Sequence, residues 1–162
     1  MSNDMFFSAE GKKVMVVDDN EVNSMVVASM LEQFAIQVTE VYSGKDAVEK
    51  AKYEDFDVIF MDYLMPEMNG IETTEEIRKL GKVKRPAIIG LSADVTPELK
   101  SKFSRAGADN VLAKPLTLEA LQQLLEEWVP KEQVASLDSK KQAGDDAKQI
   151  IEIFSQVNGL NV

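Results

Sequence analysis

Four apolar runs in this chain stop at residues that carry charge or a hydroxyl. The run at 13–17 ends in Asp18-Asp19, that at 58–61 in Asp62, that at 87–91 in Ser92 and that at 110–113 in Lys114. If these runs are strands of one parallel sheet, all four ends meet on one edge, where chemistry gathers in open sheets of that kind. Three carboxylates brought together there repel one another unless a cation sits between them. The sequence has neither histidine nor cysteine, so oxygen alone would hold an ion; that indicates a hard one, and Mg²⁺ fits best. Lys114 offers a positive charge to a bound anion, and Ser92 a hydroxyl donor. A carboxylate nucleophile, a divalent cation, a lysine and a hydroxyl make a site for phosphoryl transfer. Asp62 would attack in line while the metal and Lys114 neutralise the phosphoryl oxygens.

Each residue also has a plainer reading. Asp18-Asp19 before a helix suits capping, Ser92-Ala93-Asp94 suits a loop, Lys114-Pro115 suits a surface turn, and a lone aspartate after a strand is commonly a turn residue. Their joint occurrence at four strand ends favours the functional reading.

The elements that must place these residues follow from periodicity. Short non-alternating runs bounded by turn residues read as strands buried on both faces. The sequence predicts strands at 13–17, 36–41, 58–61, 87–91 and 110–113. Between the first two, Val22, Met25, Val26, Ser29, Met30 and Gln33-Phe34 recur at three and four residues, the spacing of one helix face, with Asn20 as N-cap. Ser43-Gly44 turns into a second helix with Ala47, Val48 and Ala51 inward. A loop with Pro66 and a turn at Asn69-Gly70 precede a helix at 71–80. Thr96-Pro97 starts a fourth helix that ends at Gly107, and Thr117 caps a fifth through Leu118, Leu121, Leu124, Leu125 and Trp128, ended by Pro130. Strand and helix alternate five times, which predicts a parallel sheet with helices on both faces.

The chain has 162 residues, suited to one domain and a tail. Its formal net charge of −10 argues against a nucleic-acid-binding face. No apolar run approaches membrane-spanning length and the start lacks the features of a signal peptide, so a cytoplasmic domain without membrane contact is expected. Residues 1–11 read as a leader, 12–130 as the folded domain, 131–146 as a polar linker, and 147–162, with Ile150, Ile151, Ile153 and Phe154, as a short amphipathic helix.

The motifs VVDDNEVN, FMDYLMPEMNG, IIGLSAD and AGADNVLAKPL resemble those of the receiver domain of two-component response regulators, over about residues 12–130. The resemblance implies a doubly wound, flavodoxin-like α/β fold with strand order 2-1-3-4-5. It implies Asp62 as phosphoacceptor, Asp19 as a direct Mg²⁺ ligand, Asp18 as a ligand through water and the Leu64 carbonyl as a further ligand. Ser92 would hydrogen-bond the phosphoryl group, Lys114 would pair with it, and the Lys114–Pro115 bond would be cis. The implied partner is a histidine kinase or histidine phosphotransfer domain, and the implied partner surface is the fourth helix, fifth strand and fifth helix. A homodimer is among the open options.

One position departs from the family pattern, and one pair stands where the family varies. Where members often carry an aromatic that swings inward on phosphorylation, three residues before the lysine, this chain has Val111. A smaller repacking of the fourth helix is therefore expected in place of a ring flip. By the resemblance, Leu64 and Asp94 would flank the phosphate; Leu64 has no polar group to steer a water, and Asp94 could orient one but would repel the phosphoryl oxygens.

The wording VDDNEVN is most similar to receivers of hybrid sensor histidine kinases. The end, IIEIFSQVNGLNV, resembles the entry to a histidine phosphotransfer domain, so a piece of such a kinase is expected, with a free-standing response regulator as the alternative. No DNA-binding module or output enzyme fits the tail. A Mg²⁺ phosphatase with an aspartyl nucleophile would want an acid two residues after Asp62, where Leu64 stands. A degenerate receiver would lack site residues that are all present here.

Overall fold

The computed structural model describes residues 11–128. The strands are β1 (Lys13–Val17), β2 (Gln37–Val41), β3 (Val58–Asp62), β4 (Ala87–Ser92) and β5 (Asn110–Ala113). The helices between and after them are α1 (Glu21–Glu32), α2 (Gly44–Tyr53), α3 (Gly70–Lys79), α4 (Pro97–Ala106) and α5 (Leu118–Trp128). All strand pairs are parallel, in the order β2-β1-β3-β4-β5. The doubly wound α/β fold expected from the alternation is the fold found.

Successive strand residues point to opposite faces of a sheet. Met15 and Val17 join Ile59, Met61 and Ile88 in one apolar cluster with Ala47 and Ala51 of α2, Ile77 of α3, and Leu99 and Phe103 of α4. The alternate residues Val14, Val16, Val58, Phe60, Ile89 and Leu91 are buried too, so both faces of the central strands are covered. That double burial is why these strands read as continuous apolar runs.

Local chemistry sets the helix starts. The side chains of Asn20, Ser43, Asn69 and Thr96 each accept a backbone N–H in the first turn of α1, α2, α3 and α4, the expected cap geometry. Pro97 opens α4, and Gly107 ends it in the left-handed region at φ 112.

Two expectations need correction. Asn69-Gly70 is not a turn before the helix but its start. Asn69 forms a capping box with Glu72, and Gly70 is already helical. In α1, the face drawn through Val22, Met25 and Val26 is the outer one: these residues are 63%, 56% and 51% exposed, whereas Ser24, Val27, Ala28 and Leu31 are buried. The helix is apolar on two sides, so periodicity could not choose between them. The buried side carries Val27, Ala28 and Leu31 together with Ser24, whose hydroxyl donates to Glu40 Oε1 of β2 at 2.7 Å.

The leader, the linker and the C-terminal helix expected at 147–162 lie outside the described residues, apart from Gly11. Among the described residues no helix is long and apolar enough to cross a membrane.

Candidate phosphoryl-transfer site

Parallel pairing brings the predicted residues to one edge. Asp62, the last residue of β3, stands in register with Leu91, and Ser92 with Ala113, next to Lys114. Asp18 and Asp19 follow β1 directly. Lys114 Nζ donates to Asp62 Oδ1 at 2.7 Å and to Asp18 Oδ2 at 3.3 Å. The other Asp18 oxygen accepts the Asn20 backbone N–H at 2.9 Å. The Lys114–Pro115 peptide bond is cis.

Carboxylate oxygens of Asp18, Asp19 and Asp62 lie within 4.8 Å of one another. Asp18 and Asp62 are buried and Asp19 is exposed. Burial pushes the Asp62 carboxyl above its ordinary range; the charges of Asp18 and Asp19 add to this, and Lys114 opposes it without cancelling it. Burial alone would pull the Lys114 ammonium down, but its hydrogen bond to Asp62 and the charges of Asp62 and Asp18 carry it above its usual value. One ammonium thus leaves this acidic cluster short of positive charge.

The loop after Asp62 is tightly held. The Tyr63 N–H donates to the Leu91 carbonyl at 2.9 Å, and the Tyr63 carbonyl accepts the Gly70 N–H at 2.8 Å. A Cβ on Gly70 would collide with the Asp62 carbonyl oxygen, so glycine is what lets α3 begin this close to the site. Met65 is buried and anchors the loop, while Leu64 is 71% exposed at the rim. Glu67 adopts φ 71 inside a turn closed by the Met68 N–H on the Pro66 carbonyl at 2.7 Å.

Asp62, Ser92 and Lys114 open into a cleft of about 560 Å³, shared with Asp18, Asp19, Leu64 and Asp94. Ser92 Oγ lies 3.2 Å from both the N–H and the carbonyl of Asp94, to which it is bonded. The structure therefore gathers every predicted site residue. It adds Asn20, the N-cap of α1, and Asn23 of α1, together with Glu98, Leu99 and Lys102 of α4. The signal for the α4 residues was available in the sequence, since the first turns of a helix that follows β4 border the same sheet edge.

This conjunction of fold and site has counterparts. Residues 14–126 match the response regulator receiver domain family. The chain belongs to that family. As a receiver domain it serves a two-component phosphorelay. It is 38% identical over 112 residues to the autoinducer 2 sensor kinase/phosphatase LuxQ of Vibrio vulnificus, a match covering 69% of this chain and 13% of that protein. It is similar to the solved receiver domain of the sensor histidine kinase PA1611 from Pseudomonas aeruginosa, which carries a magnesium ion in its active-site cleft. That match has TM-score 0.68 and 34% identity, and it covers 74% of this chain and 98% of that one. A third similarity is to the solved complex of the Saccharomyces cerevisiae phosphotransfer protein Ypd1 with the receiver domain of Ssk1. There the TM-score is 0.68 and the identity 28%, with 80% of this chain and 97% of that one covered. The receiver thus spans a small part of the sensor kinases it resembles.

Proposed function

We propose that Asp62 is the phosphoacceptor of this receiver and takes its phosphoryl group from a phosphohistidine on a kinase or phosphotransfer domain. The observation that carries this reading is the Lys114–Asp62–Asp18 contact at the edge of the sheet. It aims one cation and two buried carboxylates into a cleft with a hydroxyl on its rim.

The donor set suits a hard divalent ion. Asp18, Asp19 and Asp62 supply converging oxygens, and their charge exceeds what Lys114 balances. These three, with the Leu64 carbonyl, are the residues that would hold Mg²⁺, with Asp19 bound directly and Asp18 through water. A bound Mg²⁺ supplies charge neutralisation to the phosphoryl oxygens. In the transfer, an Asp62 carboxylate oxygen forms the new bond to phosphorus as the bond from phosphorus to the donor's imidazole nitrogen breaks. The electron pair of that bond returns to the ring. Lys114, already within hydrogen-bond reach of Asp62, pairs with the phosphoryl oxygens, and the Ser92 hydroxyl turns from Asp94 to donate to one of them.

The exposed side of α1 supports a docking role. Val22, Met25 and Val26 form an apolar stripe on the helix whose Asn20 and Asn23 border the cleft. We read this stripe as the seat of the donor domain. The face of α4, β5 and α5 is left for readout. The similarity to receivers within sensor kinases supports reading this cytoplasmic receiver as part of such a protein. The test is transfer of radiolabel from a phosphorylated histidine phosphotransfer domain. Label should pass to the wild-type chain in the presence of Mg²⁺ and not to Asp62→Asn; equal labelling of both would refute the assignment.

A further inference from the structure

The contacts of α4 point to a route by which the state of Asp62 reaches the surface without an aromatic on β5. We propose that Phe103 of α4 reads the site through Tyr63, acting as the positioning residue that couples α4 to the phosphoacceptor. This rests on the assignment of Asp62 above.

Three observations converge on Phe103. First, its ring meets the ring of Tyr63, the residue after Asp62, edge to face with centroids 5.9 Å apart and planes at 66°. The Tyr63 backbone is hydrogen-bonded on both sides, to Leu91 and Gly70, which fixes the base of its ring directly beside Asp62. Second, Phe103 is fully buried over Gly90, two residues before Ser92. A Cβ on Gly90 would stand 2.9 Å from the Phe103 ring, so the ring lies on bare β4 backbone. One side chain of α4 therefore touches the residue that follows Asp62, through Tyr63, and the strand that ends in Ser92, through Gly90. Third, Val111 pairs in register with Gly90. Beside it an open surface groove of about 170 Å³ is lined by Lys100 and Ser104 of α4, both exposed. An open seam between α4 and β5 thus lies next to the position where an aromatic is missing. Packed interfaces of this kind hold discrete arrangements, so a small displacement at Ser92 or Tyr63 moves α4 as a unit.

The experiment uses the full chain with Mg²⁺ and beryllofluoride as the acyl-phosphate mimic. Fluorine NMR measures loading at Asp62, and backbone amide shifts measure the response of α4. Phe103→Leu should load as the wild type does while the α4 shift changes fall to less than half. Tyr63→Leu should do the same, Tyr63→Phe should restore the full response, and the double variant should lose no more than either single one. A full α4 response in Phe103→Leu or in Tyr63→Leu overturns the proposal, as do additive losses in the double variant. So does loss of loading in Phe103→Leu, which would make Phe103 a support of the site and not its reader. Failure of the wild type to load overturns the assignment of Asp62, and this proposal with it.

Discussion

The Lys114 ammonium reaches Asp62 at 2.7 Å across two strand positions of the sheet, from the end of β5 to the end of β3. With Asp62 as the proposed phosphoacceptor, this ammonium stands where it would meet the phosphoryl oxygens. Lys114→Ala is therefore expected to slow phosphorylation from a small acyl phosphate by about a hundredfold, the cost of losing one preorganised charge partner. Mg²⁺ affinity should be kept or rise, because the competing cation is gone. Metal titration beside single-turnover labelling checks both halves; loss of Mg²⁺ binding in this variant would contradict the role.

The raised Asp62 carboxyl gives a pH dependence. Mg²⁺ requires the ionised form, and protons compete for it. Affinity should fall on acidification, beginning above the range of an ordinary aspartate near about 3.9. Calorimetric titrations at a series of pH values should show this onset, and in Asp62→Asn it should disappear. An onset unchanged by that substitution would place the titrating group elsewhere.

Asp57 gives the opposite sign, in stability. Burial pushes its carboxyl up, but the Lys84 ammonium at 2.7 Å and the Lys13 backbone N–H at 2.8 Å outweigh this and hold it below its ordinary value. A depressed folded value means stability that is fully present above the unfolded value of about 3.9 and is lost as pH falls through the folded one. Asp57→Asn should cost about 1–2 kcal/mol at neutral pH, allowing for screening at the half-exposed lysine. Denaturant midpoints of the two proteins should converge in strong acid.

The two sides of α1 should separate folding from docking. Met25→Asp, on the exposed stripe, should change stability by no more than about 0.5 kcal/mol and leave labelling by a small acyl phosphate intact. Transfer from a phosphotransfer domain should slow more than tenfold. Leu31→Ala, on the buried side, should cost about 2–5 kcal/mol. If Met25→Asp accepts phosphoryl from the protein donor at the wild-type rate, the donor docks elsewhere.

The same helix shows what the sequence could and could not convey. Strands buried on both faces announce themselves as unbroken apolar runs, and helix starts by Asn20, Ser43, Thr96 and Pro97, because those signals are local. The site residues were legible because parallel pairing sends every strand end to one edge. The buried side of α1 was not, since both sides are apolar and the buried one holds the hydrogen bond from Ser24 to Glu40, sixteen residues on. Asn69-Gly70 carries turn chemistry, but a glycine that must clear the Asp62 carbonyl also serves as the first residue of a helix. The contact between Tyr63 and Phe103 joins residues forty positions apart and left no trace in periodicity.

Asp62 is proposed to accept the phosphoryl group with the help of a divalent ion. Intact-mass spectrometry of the full chain, incubated with a small acyl phosphate with and without Mg²⁺, tests it directly. The wild type should gain the mass of one phosphoryl group only when Mg²⁺ is present, and Asp62→Asn should gain none. The same Mg²⁺-dependent gain in Asp62→Asn, or no gain in the wild type, would rule out Asp62 as the phosphoacceptor.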